Sequence, residues 1–220
     1  MYHRINQPEP NSSLIVSPKS FARQLDWLEN RSFNFLSLDE AAASCGKVPF
    51  GARSVALTFD DGFLDNLENA FSLLIARKKN AALFVVVEWI GKKDFLTWNQ
   101  IRELARQGIT IGSHSLSHRY LAAIQDPAEL EREVVDSKKR IEDEIGQEVR
   151  WFSYPVGGGN ARAAEAAKRA GYRAAWVAGH RPSLEIKDPL FRFRRVKVSP
   201  SDDSLFHFAI KAYGIKGMFG

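Results

Sequence analysis

The chain holds a single cysteine, Cys45, and no C-x-x-C pair, which excludes an internal disulfide and a cysteine-held zinc site. No run of about eighteen apolar residues occurs, which excludes a membrane-spanning helix. The first residues, MYHRINQPEPNSS, carry no apolar stretch of signal-peptide length. The expectation is a cytoplasmic protein, or an exported one if a leader has been trimmed. Repeats, low-complexity tracts and composition breaks are also missing, so residues 1–220 read as one domain. Acidic residues fall short of basic ones, 26 against 31, for a net charge of +5. The basic residues alternate with acids, as in Glu129-Leu130-Glu131-Arg132-Glu133, and this dispersal argues against a nucleic-acid partner. The exceptions are Arg192, Arg194 and Arg195, and Lys211 and Lys216 near the end.

With 45% hydrophobic residues the chain can bury a core, and the apolar pattern has a clear rhythm. Short β-rich runs lie at Ser54–Phe59, Ala82–Val87, Ile109–Ser113, Val149–Ser153 and Ala174–Val177. Amphipathic stretches over Leu64–Lys78, Thr97–Gln107, Pro127–Ile145 and Ala161–Ala170 separate them. Thr97 and Asn160 suit N-caps; Gly108, Gly146 and Gly171 suit helix ends. Before Ser54 come strand-like residues Tyr2–Ile5 and FNFL, with helices near Phe21–Asn30 and Leu38–Ser44. After Val177 come a strand at Arg194–Val198 and a helix at Ser204–Tyr213. The expectation is an α/β fold with about eight strand candidates, near the number needed to close a (β/α) barrel. In such folds chemistry sits at the C-terminal ends of the strands.

Three segments fall at those ends. Thr58-Phe59-Asp60-Asp61-Gly62 ends an apolar run with adjacent carboxylates. Alternate strand residues point to opposite faces, so the two diverge unless the backbone bends. Asp-Gly is also an ordinary turn signal. His114-Ser115-Leu116-Ser117-His118 follows ITIGS, and histidines four apart share one face of a helical turn. Joined, two imidazoles and one aspartate make a hydrolytic zinc set with open positions, and the second aspartate could act as general base. In Trp151–Asn160 a strand runs into Pro155 and three glycines, a turn whose backbone N–H groups could bind an oxyanion.

Together TFDDG, SHSLSH and FSYPVG resemble the polysaccharide deacetylases of the NodB-homology group, carbohydrate esterase family 4. The resemblance runs from about Tyr2 to Val198 and implies a distorted (β/α) barrel, here of about seven or eight strands. It implies a divalent metal, zinc foremost with cobalt, nickel or iron as alternatives, held by Asp61, His114 and His118. Asp60 would be the base and the Val156 N–H an oxyanion donor, with Tyr154 and Arg195 also on the oxyanion or substrate side. The implied reaction is hydrolysis of N-acetyl groups on an oligosaccharide, polysaccharide or lipid-linked sugar. A deformylase or another amide hydrolase of the same fold is the alternative.

The chain departs from commoner members in two places. Nothing after His118 matches the late leucine-x-histidine motif that carries the general acid; His207 lies in a helix-like stretch and His180 in a loop. Tyr2-His3-Arg4-Ile5 instead resembles the circularly permuted poly-N-acetylglucosamine deacetylase branch, which makes His3 the implied acid. Ser153 stands where relatives have the arginine that pairs with the base, a place Arg195 could take. Trp89, Trp98 and Trp176 are candidates for sugar stacking. The segment Leu205–Gly220, with Phe206, Phe208, Tyr213, Phe219, Lys211 and Lys216, is read as a terminal helix covering the barrel, with peripheral membrane contact as the second reading.

Overall fold

Strands of apolar residues with no polar face need cover on both sides, and helices supply it here. The computed structural model describes residues 1–45, 53–178 and 185–213. In chain order the strands are β1 (Arg4–Ile5), β2 (Ile15–Val16), β3 (Asn34–Phe35), β4 (Ser54–Val55) and β5 (Thr58–Phe59), then β6 (Ala82–Val85), β7 (Thr110–Ser113), β8 (Trp151–Ser153), β9 (Ala174–Ala178) and β10 (Phe193–Arg195). The main sheet is parallel, ordered β10-β9-β8-β7-β6-β5, and curls as a half-barrel. All four residues of β6 are buried.

The expected seven or eight strands are therefore six, among the described residues. The run Ser54–Phe59 breaks in the middle: β4 pairs with β3, and β5 joins the main sheet. Among the described residues β1 pairs with β2 alone. The gap between edge strands β5 and β10 is bridged by backbone at the start of the chain. Tyr2 N donates to Thr58 O at 2.8 Å and Asp60 N to Tyr2 O at 3.0 Å. On the other side Val198 N donates to Met1 O at 2.9 Å. Tyr2 pairs with Phe59 in parallel register, and their rings stack at 5.4 Å.

The helices follow their caps. Thr97 closes a capping box with Gln100 ahead of Trp98–Arg106, worth about 1 kcal/mol, and Asn160 accepts from Ala163 N ahead of Ala161–Arg169. Gly146, at φ 69°, ends Ser137–Ile145 in the left-handed conformation that glycine adopts without penalty. The stretch Pro127–Ile145 is interrupted by a π-helical turn at Arg132–Asp136, and a second such turn at Leu67–Phe71 precedes Ser72–Ala76. Leu205–Ala212 lays Phe208 against Trp27, rings 5.8 Å apart, and leaves Phe206 71% exposed. Lys216, Phe219 and His180 lie outside the described residues.

Candidate metal centre

The site sits at the C-terminal ends of β5, β7, β8 and β10. After Phe59 the chain turns sharply, with Asp61 at φ 76° and Gly62 at φ 88°. That bend lets both adjacent aspartates approach His114. Both are buried.

Arg195, at the end of β10, donates to both oxygens of Asp60, Nη1 to Oδ1 at 2.7 Å and Nη2 to Oδ2 at 2.6 Å. Nη2 also donates to Ser153 Oγ at 2.6 Å, and Nη1 to Thr58 Oγ1 at 3.2 Å. Burial pushes the Asp60 carboxyl up, yet the Arg195 charge, then His114, the Arg195 hydrogen bonds and His3, hold it well below the usual carboxylate range. Arg195 thus stands beside Asp60, the place expected for it because Ser153 offers no guanidinium there.

Asp61 differs. Its Oδ1 is buried with no hydrogen-bond donor. His114 Nε2 lies 3.5 Å from that atom and His118 Nε2 3.4 Å. The Nδ1 of His114 lies 2.7 Å from Ser153 O, an acceptor only, so Nδ1 carries the proton and Nε2 presents its lone pair. Burial lowers the His114 pKa against the opposing pull of Asp60 and Asp61, which favours the neutral ligand form. Asp61, His114 and His118 offer ligand atoms within 4.8 Å of one another. A bare buried carboxylate oxygen facing two imidazole nitrogens fits a divalent cation.

The two histidines do not share a helical turn, as their spacing had suggested. They meet across a loop in which Ser115 (φ 68°) and His118 (φ 66°) are left-handed; their rings are 5.0 Å apart. Glu133, read in the sequence only as one of a run of alternating charges, holds that loop: its carboxylate accepts from Leu116 N at 3.1 Å, Ser117 N at 2.9 Å and Ser117 Oγ. A buried glutamate in a helix otherwise solvated on its polar face is the signal that only burial reveals.

The other candidates divide. His3 follows Tyr2 in the parallel register, so its side chain points to the same face as that of Asp60. It is partly buried, its Nδ1 is without a partner, and burial lowers its pKa. Val156 stands 69% exposed on the rim at φ 57°. Tyr154 is a correction: its ring is fully buried and its hydroxyl donates to Phe191 O at 3.1 Å, so its side chain faces the core. His207 is exposed, with Nδ1 near Ser201 O. Trp176 packs against Phe84, Trp151 and Phe193, and Trp98 lies under Arg140; neither borders the site. Trp89 does, its ring 4.7 Å from that of His118.

Known proteins resemble this chain in sequence and in fold. Residues 47–175 match the family model for polysaccharide deacetylase. The chain is 33% identical over 203 residues to YxkH of Bacillus subtilis strain 168, whose name places it among the polysaccharide deacetylases; the match covers 91% of this chain and 70% of that one. It is 25% identical over 155 residues to a poly-β-1,6-N-acetyl-D-glucosamine N-deacetylase of Staphylococcus aureus strain MRSA252, covering 64% of this chain and 53% of that protein. The structure of the Streptococcus pyogenes deacetylase PplD in complex with acetate superposes with a TM-score of 0.81 at 25% identity, over 94% of this chain and 95% of that one. On the family model and these likenesses together, the chain belongs to the polysaccharide deacetylase family.

Proposed function

We propose that the protein is a metal-dependent hydrolase that removes N-acetyl groups from the amino sugars of a glycan. The observation that carries this reading is the contrast between the two aspartates. Arg195 engages both oxygens of Asp60, whereas Asp61 Oδ1 is bare and faces two imidazole nitrogens. Asp61, His114 and His118 would hold the cation, zinc best matching one oxygen and two nitrogens, with cobalt, nickel and iron accepting the same donors. When bound, such a cation polarises the acyl carbonyl and acidifies the attacking water.

The protein's own groups do the rest. Asp60 is ionised and held in one orientation by Arg195, ready to take the proton of the attacking water at Oδ2, the oxygen 3.8 Å from His114 Nε2. The same fork keeps Asp60 out of the ligand set. His3, on the neighbouring backbone segment, supplies a proton to the departing nitrogen, since an amine leaves poorly unless protonated. The Val156 N–H serves the developing oxyanion.

The relatives named for poly-β-1,6-N-acetyl-D-glucosamine support an N-acetylated polysaccharide as substrate. This chain spans about half of their length, and an oligosaccharide or lipid-linked sugar has the same reacting group. No helix of the described residues is long and apolar enough to cross a membrane. The test is elemental analysis together with acetate release from N-acetylglucosamine oligomers, run beside formate release from N-formylated sugars. Stoichiometric metal with acetate released is expected; formate alone, or no turnover by metal-loaded protein, would overturn the reading.

A further inference from the structure

His3 lies in a short N-terminal segment, between Tyr2, which pairs with Phe59, and β1, which pairs with β2. Terminal segments fray unless something ties them down. Besides those backbone pairings, a set of side-chain ties comes from the turn after the two aspartates. Asn66 Nδ2 donates to His3 O at 2.7 Å. Asp65 accepts from Arg4 Nε at 2.7 Å, Ile5 N at 3.2 Å and Asn6 Nδ2 at 3.3 Å. Asn69 Nδ2 donates to Ile5 O at 2.8 Å. Spacings of three and four residues put these side chains on one helical face.

Asn66 is the most telling member. It is fully buried, and its Oδ1 has no hydrogen-bond partner. A bare buried acceptor costs stability that an apolar side chain would not, so the residue's value lies in the single bond its Nδ2 makes. That bond ends on the backbone of His3. We propose that Asp65, Asn66 and Asn69 form a latch, with Asn66 its central positioning residue, that holds His3 in line for proton donation. The inference rests on His3 being the general acid. Because the latch belongs to the same continuous segment as Asp60 and Asp61, base, ligand and acid share one frame. A misplacement of an ångström at such a site costs rate even when the fold persists.

Leaving-group chemistry isolates this role. An N-acetyl amino sugar needs its nitrogen protonated; 4-nitrophenyl acetate expels a stable phenolate and does not. Metal-loaded wild type, His3→Ala, Asn66→Ala and the double variant are assayed on both, with metal content measured. Asn69→Ala, at a less buried position, serves if Asn66→Ala does not fold. The expected result is a fall of about tenfold or more in kcat on the amide for Asn66→Ala, with the ester changed less than about twofold. In the His3→Ala background the same substitution adds nothing to the amide loss. If His3→Ala shifts the amide-to-ester ratio and the latch variants do not, the latch is refuted while the acid stands. If His3→Ala leaves the ratio unchanged, the acid assignment fails and the latch with it. Equal losses on both substrates, or additive losses in the double variant, would show a merely structural role and overturn the proposal.

Discussion

Arg195 and Asp60 stand at opposite edges of the main sheet, on β10 and just after β5, yet their charged groups form a two-pronged ion pair at 2.6 and 2.7 Å. The pair is buried on both sides and fastens the curled sheet across the gap that Met1 and Tyr2 fill. It is therefore a structural clasp as well as the setting that orients Asp60.

Removing the clasp strands a buried carboxylate. Arg195→Met is expected to cost about 3–5 kcal/mol of stability, the range for breaking one side of a buried pair. Arg195→Lys recovers only part, because a point charge cannot reproduce the fork. Urea denaturation measures this; a loss below about 1 kcal/mol for Arg195→Met would show that Asp60 is not dependent on it.

The contrast between the aspartates separates metal from chemistry. Asp61→Asn and His114→Ala should abolish stoichiometric metal uptake. Asp60→Asn should keep the metal and lose about a hundredfold or more in turnover. Elemental analysis beside an acetate assay decides. Full metal in Asp61→Asn would remove it from the ligand set.

Acid should weaken the metal-free protein in two stages. His3 and His114 titrate below their ordinary 6.5 when folded, because burial disfavours their charge. Below pH 6.5 the unfolded chain takes up protons that the native state refuses, so stability falls as pH drops toward the lowered folded values. Asp60, whose folded pKa lies below its ordinary 3.8, contributes stability that is complete above 3.8 and lost below it. Urea midpoints from pH 8 to pH 3 should decline in that order. A flat profile between pH 6.5 and 5 would contradict the burial of the two imidazoles.

The oxyanion assignment concerns backbone, so the Val156 side chain is dispensable. A β-branched residue at φ 57° is strained, and Val156→Gly should raise stability by up to about 1 kcal/mol while kcat stays within a few-fold. Gly157→Ala should do the reverse. Gly157 has φ 71°, and a Cβ there would lie 2.5 Å from Ala178 O, so the turn must shift and carry the Val156 N–H with it. Loss of turnover in Val156→Gly with metal retained would transfer importance to the side chain.

Much of this was legible in the sequence because it is local. Apolar runs, caps at Thr97 and Asn160, and the residue types of the metal set need no knowledge of distant contacts. The misreadings are those that depend on tertiary placement. Spacing put His114 and His118 on a helix, but two left-handed residues loop the backbone between them. Tyr154 sits in the right motif, yet pleating sends its ring inward to Phe191. Ser54–Phe59 reads as one strand, while its halves find different partners. Glu133 looks like any polar position of an amphipathic helix until its carboxylate is seen holding loop amides.

Glu133 yields the last prediction. The loop from His114 to His118 carries two left-handed residues that have no glycine to ease them, so something must hold it in that shape. Ser115 Oγ accepts from His118 N at 3.0 Å, and Ser113 Oγ from Ser115 N at 3.2 Å, but both bonds lie within the segment itself. From outside, Val87 N donates to Ser115 O at 3.3 Å and Glu88 N to Leu116 O at 2.9 Å, and the external side-chain anchor is Glu133, which accepts from two backbone amides and a hydroxyl. Glu133→Gln replaces one acceptor oxygen with a donor that faces donors, so one side of the anchor is lost. The ligands themselves are untouched, and the expected effect is a metal affinity weaker by about 10- to 100-fold. Competition against a chelator of known affinity measures it without reference to turnover. An unchanged affinity would mean that the serine and backbone bonds fix the two imidazoles without it, and that Glu133 serves only the packing of its helix.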